Sequence, residues 1–330
     1  MTSTPRRPLV RITGWVAFAV AVVLACLAAT ALSVRSAEQE RQVVYAVIPH
    51  PDDEFQIWSF VEDATNVFPV FLVMTQGDQT GYCTPEGYAT GWQPGTEPPA
   101  VVEPTGKWTS ACSRSRAASL VGYLTAMSQQ DASVPGDFEP AQTVGPFDDP
   151  DGVVCRVDAS DGPCTSRGTS AQVWTDRQGR GVVVMFDLGD GDLEPAEVRW
   201  AVQQVRDHRA DFGIDPSLPE SGAVGAFANH SGDCFEYPHH DHVAVHDALR
   251  ASDLGLEYRA AATCAESSDI RRRVSDRSVD ASFRVDEDGT RSGAHTSEYG
   301  WLWDPYYPID LDGQSELFTQ HQYFWLRYRE

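Results

Sequence analysis

The chain is 330 residues long, and its 42% hydrophobic content is enough for at least one sizeable core and one elaborated domain. Its 25 basic residues against 48 acidic ones give a formal charge of -23, which would repel a phosphate backbone; with no local basic patch to compensate, a nucleic-acid partner is excluded. The 22% charged and 10% aromatic fractions exclude global disorder.

In chain order, the first 40 residues differ from the rest. Arg6, Arg7 and Arg11 precede an apolar run from Trp15 to Val34. As a helix at about 1.5 Å per residue, that run would just cross a hydrocarbon layer of about 30 Å. Residues 1–14 read as a cytoplasmic basic segment and 15–34 as a signal anchor or a cleaved signal peptide. The arginines then leave residues 38–330 as a single extracytoplasmic domain, membrane-anchored or secreted. Cys83, Cys112, Cys155, Cys164, Cys234 and Cys264 form an even set, as export to an oxidising compartment would favour. Sequential pairing would close three local loops. Short two-to-four-residue ligand spacing is absent, which argues against a cysteine zinc site.

Val43 to Ile48 predicts a buried strand that leads through Pro49 into His50-Pro51-Asp52-Asp53-Glu54, with a helix starting near Phe55. Proline after His50 favours an extended conformation there, so this polar cluster belongs at a strand end. Val70 to Met74 predicts a second strand, followed by the turn-like Thr75-Gln76-Gly77-Asp78. Residues 81–110 read as a long loop pinned by Cys83 and Cys112, and Arg114 to Ser128 as a helix. Ala171–Trp174 and Gly181–Phe186 flank Asp176-Arg177-Gln178-Gly179 as a hairpin. A helix follows from Leu193 to about His208, then a strand at Val224–Ala228. Pro238 marks a helix start carrying His239-His240-Asp241-His242. Leu256–Ala262 predicts another strand, and the aromatic segment from Tyr299 to Tyr328 either packs back on the domain or lines a carbohydrate-binding rim. The alternation of strands and helices predicts an α/β fold, and an open parallel sheet places its ligand crevice at such strand tips.

His50 and Asp53, three residues apart, reach inward together if the chain turns after Pro51, which leaves Asp52 available as a base. His239 and His242 share a face if their segment is helical. Two histidines and a carboxylate with an open position for water form a hydrolytic zinc arrangement.

Together the two clusters resemble the LmbE/PIG-L family of zinc-dependent N-deacetylases. His50-Pro51-Asp52-Asp53-Glu54 matches its first signature, Tyr237-Pro238-His239-His240-Asp241-His242 its His-x-Asp-His signature, and the similarity runs from about Val43 to Ala262. The resemblance implies a Rossmann-like, mostly parallel sheet flanked by helices, here with long disulfide-stabilised loops. It also implies removal of an N-acyl group, commonly acetyl, from an amino-sugar-containing small molecule or glycan. Carried over residue by residue, His50, Asp53 and His242 would hold Zn2+ and Asp52 would be the general base. His239, held by Asp241, would protonate or stabilise the tetrahedral intermediate, and Tyr237 would donate to the oxyanion. His246 reads as structural and Glu54 as an orienting group. Gln56, Trp58 and Ser59 replace a stretch that is glycine-rich in relatives, and Ser119 stands where relatives often carry glutamate, so the pocket wall differs. A noncatalytic carbohydrate-binding protein with a structural metal, and a zinc amidase for a larger conjugate, are the alternatives. Oligomeric state is open.

Overall fold

A computed structural model describes residues 41–90, 105–149, 151–154, 168–229, 234, 236–251, 253–285, 291–299 and 317–329. The strands are β1 (Gln42–Ile48), β2 (Val67–Val73), β3 (Gln142–Val144), β4 (Ala171–Thr175), β5 (Val182–Met185), β6 (Glu220–Gly225), β7 (Tyr258–Ala262), β8 (Ile270–Arg273), β9 (Arg284–Val285), β10 (Arg291–Ser292) and β11 (His321–Tyr328). The α-helices are α1 (Pro85–Thr90), α2 (Ser110–Ser128), α3 (Pro195–Asp207), α4 (His240–Ala251), α5 (Asp276–Ser282) and α6 (Ala294–Tyr299), and Glu54–Phe60 is a 3-10 helix.

Side chains alternate across β1. Val44, Ala46 and Ile48 enter one apolar cluster with Leu120, Tyr123 and Leu124 of α2, and Val43, Tyr45 and Val47 enter a second with α3 and α4. A strand buried on both faces reads as the continuous apolar run seen in the sequence. The helices begin where polar side chains satisfy free backbone donors. Thr109 caps α2 by accepting from the Cys112 N–H, and Glu194 and Glu197 form a capping box at α3, with Pro195 in its first turn.

The main sheet has nine strands in the order β3-β4-β5-β2-β1-β6-β7-β11-β8. This corrects the Rossmann-like, mostly parallel expectation to a mixed sheet. The four pairings among β5, β2, β1, β6 and β7 are parallel, and the four involving β3, β4, β11 and β8 are antiparallel. The predicted 171–186 hairpin is the β4–β5 pair. Of the described part of the aromatic tail, Tyr299 ends α6 and His321–Tyr328 form strand β11, and Tyr299, Phe324 and Trp325 pack back into the domain.

Cys83–Cys112 and Cys234–Cys264 are disulfides, with Cα atoms 5.3 and 5.9 Å apart. The expected Cys155–Cys164 pair lies outside the described residues. Among the described residues no helix is long and apolar enough to cross a membrane. The apolar run at 15–34 lies outside them, so the expectations of a membrane anchor or signal, and of the extracytoplasmic location derived from it, are corrected to that statement.

Candidate metal centre

The site lies where the parallel strands end. β1 stops at Pro49, and the chain turns so that the His50 backbone N–H donates to Asp53 Oδ2 at 3.0 Å. The loop after β2 braces this turn, because the Thr75 N–H and Oγ1 both donate to the Pro49 carbonyl. From the other side of β1, the segment after β6 is held by paired backbone bonds between Asn229 and Tyr237 and by the Cys234–Cys264 bridge. Two clusters, joined by a His50–Asp241 contact 191 positions apart in sequence, thus meet.

A cavity of about 250 Å³ is lined by His50, Asp52, Asp53, Tyr237 and His239, with Gly77, Gln79, Thr80, Arg116 and Asp190. Asp241 and His242 are fully buried. His50 belongs to each of three overlapping sets of potential metal donors, with His239 and His242, with Asp52 and Asp53, and with Asp190 and Asp241. Asp53 Oδ2 lies 3.2 Å from His50 Nδ1 and 3.4 Å from His242 Nε2. Ligands about 2.0–2.1 Å from a tetrahedral ion sit about 3.3 Å apart, so this spacing suits a divalent cation.

The outward-facing nitrogens are locked. His242 Nδ1 pairs with the Phe227 carbonyl at 2.6 Å, which makes it the protonated nitrogen and leaves Nε2 as a lone pair. That Nε2 is buried without a hydrogen-bond partner, as a metal ligand would be. His50 Nε2 lies 2.9 Å from Asp241 and 3.2 Å from Asp190, the carboxylate–imidazole contact that orients a ligating histidine. The described residues therefore form a buried His/Asp cluster able to coordinate a divalent metal.

Asp241 departs from expectation. Its carboxylate grips His50 and accepts the N–H groups of Gly191 and Leu193 at 2.8 and 3.1 Å, whereas no hydrogen bond joins it to His239. His239 is half-buried, its Nδ1 is buried without a hydrogen-bond partner, and its ring lies edge-on to His50 at 4.8 Å. Tyr237 stacks over His239 at 6.0 Å and meets His242 edge-on at 4.8 Å.

The electrostatics separate the two adjacent aspartates. Burial would raise Asp53, but His242 and His50 beside it hold it down at about 2. Burial pushes Asp52 up to about 7, against the pull of the Arg116 guanidinium that reaches its two oxygens at 3.2 and 3.4 Å. Asp52 also sits at φ 142, backbone that side chains other than glycine rarely adopt, so the turn that aims Asp53 inward holds Asp52 in strain. Burial would lower His50, yet Asp190, Asp241 and Asp53 together raise it well above its ordinary value. Burial lowers His242 to about 4 and lowers His239. Burial also lifts Glu54, fully enclosed beneath the site, to about 8; it lines no part of the cavity.

No protein-family model, curated protein or solved structure matches the chain.

Sequence reasoning missed two groups. Asp190 lies in a Gly-Asp-Gly-Asp turn after β5 that reads as an ordinary loop; position at a strand tip was the only signal. Gln56 entered the sequence reading only as a wall substitution. Its Nε2 donates to Asp53 Oδ1 at 2.8 Å while its Oε1 accepts the Phe227 N–H at 2.8 Å, and the Phe227 carbonyl takes His242 Nδ1. One amide thus links two donors of the metal cluster. His246 is structural, with Nε2 shared between the Ala226 and Ala262 carbonyls. None of these residues singles out an amino sugar or glycan, so the expected partner is corrected to an unspecified substrate.

Proposed function

We propose that the protein is a metal-dependent amide hydrolase that removes an N-acyl group from an amine, an amino sugar being the amine that its resemblance to the LmbE/PIG-L family implies. The observation that carries this reading is that Asp53 Oδ2 lies 3.2 Å from His50 Nδ1 and 3.4 Å from His242 Nε2, a nitrogen buried without a hydrogen-bond partner, with Asp52 next in the chain.

His50, Asp53 and His242 would hold the ion, zinc by the donor set. When bound, it supplies Lewis-acid polarisation and a more acidic water. The other steps belong to the protein's own side chains. Asp52, steadied by Arg116, takes a proton from the attacking water as the C–O bond forms at the amide carbon. Tyr237 and His239, on the opposite wall, donate to the developing oxyanion; as the C–N bond breaks His239 gives its proton to the leaving nitrogen, and the proton that Asp52 took from water then restores His239. The products are a carboxylate and a free amine. Asp241 and Asp190 keep His50 oriented throughout.

The zinc-loaded full chain should release free amine from N-acylated glucosamines. Asp52→Asn should keep the metal and the fold but lose turnover by about 10²- to 10⁴-fold. Undiminished turnover in that variant would remove Asp52 as the base, and absence of amine release from every acylated amine would remove the hydrolase reading.

A further inference from the structure

The site cavity is small and polar, but a second concavity of about 880 Å³ begins one residue away. Gln76 lines the larger one while its neighbour Gly77 lines the site. On α2, Ser113 and Ala117 line the larger one while Arg116 turns in to Asp52. Past this junction the walls are mostly apolar, with Ala118 and Val121 of α2, Trp174 of β4 and Met185 of β5, and Arg114, Gln172 and Asp187 also line the groove. Polar groups at one end and apolar walls beyond are the usual form of a small-molecule site.

We infer that this groove receives the acyl chain, so that the preferred substrates are amides of medium or long aliphatic acids and not acetamides. The inference rests on the amide-hydrolase reading above. Its direction follows from the fold. β2 and β6 flank β1 on opposite sides, so the Gly77 and Arg116 wall faces the wall of Tyr237 and His239 across the site. The leaving nitrogen must lie within reach of the proton donor His239, which directs the acyl carbon the other way, past Asp52 and the Arg116 guanidinium that packs over Gly77, toward the groove. The small side chains of Ala117 and Ala118 leave a trough along α2 that a flexible chain can follow, while the Glu298 side chain fills the space beside Gly122.

The test uses N-acetyl-, N-butanoyl- and N-octanoylglucosamine in two arms, amine release by the zinc-loaded full chain and calorimetric binding to the metal-free chain. Each buried methylene should raise kcat/KM and affinity about fourfold until the groove is filled. Ala118→Trp and Val121→Phe, at half-buried positions, should flatten both series toward the acetyl value. A flat series in the unaltered protein overturns the groove assignment even where the acetyl compound is hydrolysed. A rise with chain length that both variants preserve overturns it too, because the chain then lies elsewhere. If no compound is hydrolysed, the hydrolase reading fails; length-dependent binding to the metal-free protein, lost in the variants, still upholds the groove.

Discussion

The five central strands of the sheet are buried along most of their length, whereas the outermost strands β3 and β8 are largely exposed, and only the centre carries the metal cluster. His50, Asp52 and Asp53 follow β1, Gly77 and Gln79 follow β2, Asp190 follows β5, and His239 and the α4 residues Asp241 and His242 follow β6. Parallel strands bring all their C-terminal ends to one edge, and the loops converge there. The antiparallel strands β3, β4, β8 and β11 extend the sheet and its cores but contribute no donor to the metal cluster. Metal binding should therefore fail in the centre with the fold intact, and changes in the flanks should weaken the fold with metal binding intact.

The largest effect expected at the centre is at His242. In His242→Gln the buried lone pair aimed at Asp53 is lost, so a zinc titration that is stoichiometric in the unaltered chain should show no tight site, and turnover should vanish with it. Retained tight binding would mean that His50 with Asp190 and Asp241, or with His239, holds the ion.

A smaller loss is expected at Gln56, which lines neither the site cavity nor the groove. Gln56→Leu keeps its volume but cuts the link from Asp53 Oδ1 to the Phe227 amide, and should weaken zinc about 10- to 100-fold, the usual effect of removing a group that orients a ligand. A purely structural role would instead lower the melting temperature of the metal-free chain and leave the affinity of the folded protein unchanged.

The elements of the centre were readable because burial writes itself as apolar runs, and because Pro49, Pro51 and Pro238 punctuate them. The positions of His50, Asp52, Asp53, Tyr237 and His239 around one cavity follow from those runs. Strand direction did not follow: β11, within the aromatic tail, was not recognised as the antiparallel partner of β7 and β8, and the exposed Ile-Arg-Arg-Arg of β8 carries no apolar run to mark it as a strand. Asp190 escaped because its flanking residues Gly189 and Gly191, both at positive φ, make the segment read as a turn. Asp241 was assigned to the wrong histidine because sequence spacing fixes which side chains share a helix end, but not which of two neighbouring imidazoles a carboxylate meets.

The smallest effect belongs to the flank, at Asp176 in the turn between β4 and β5. Its oxygens accept the N–H groups of Gly136, Asp137, Gln178 and Arg180 and pair with the Arg180 guanidinium at 2.6 Å, tying the hairpin to the segment before β3. Burial alone would raise this carboxyl, but Arg180 and the backbone donors outweigh it and hold it at about 2. Because the folded value lies below the unfolded one, the contribution is fully present above about pH 4 and disappears as the pH falls through about 2. Asp176→Asn should thus cost about 1–2 kcal/mol at neutral pH and progressively less in acid, with zinc affinity and turnover unchanged. Denaturant unfolding at a series of pH values measures this. A difference between the two proteins that stays constant from neutral pH to about pH 2 would mean that hairpin geometry, and not the ionised carboxylate, carries the stability.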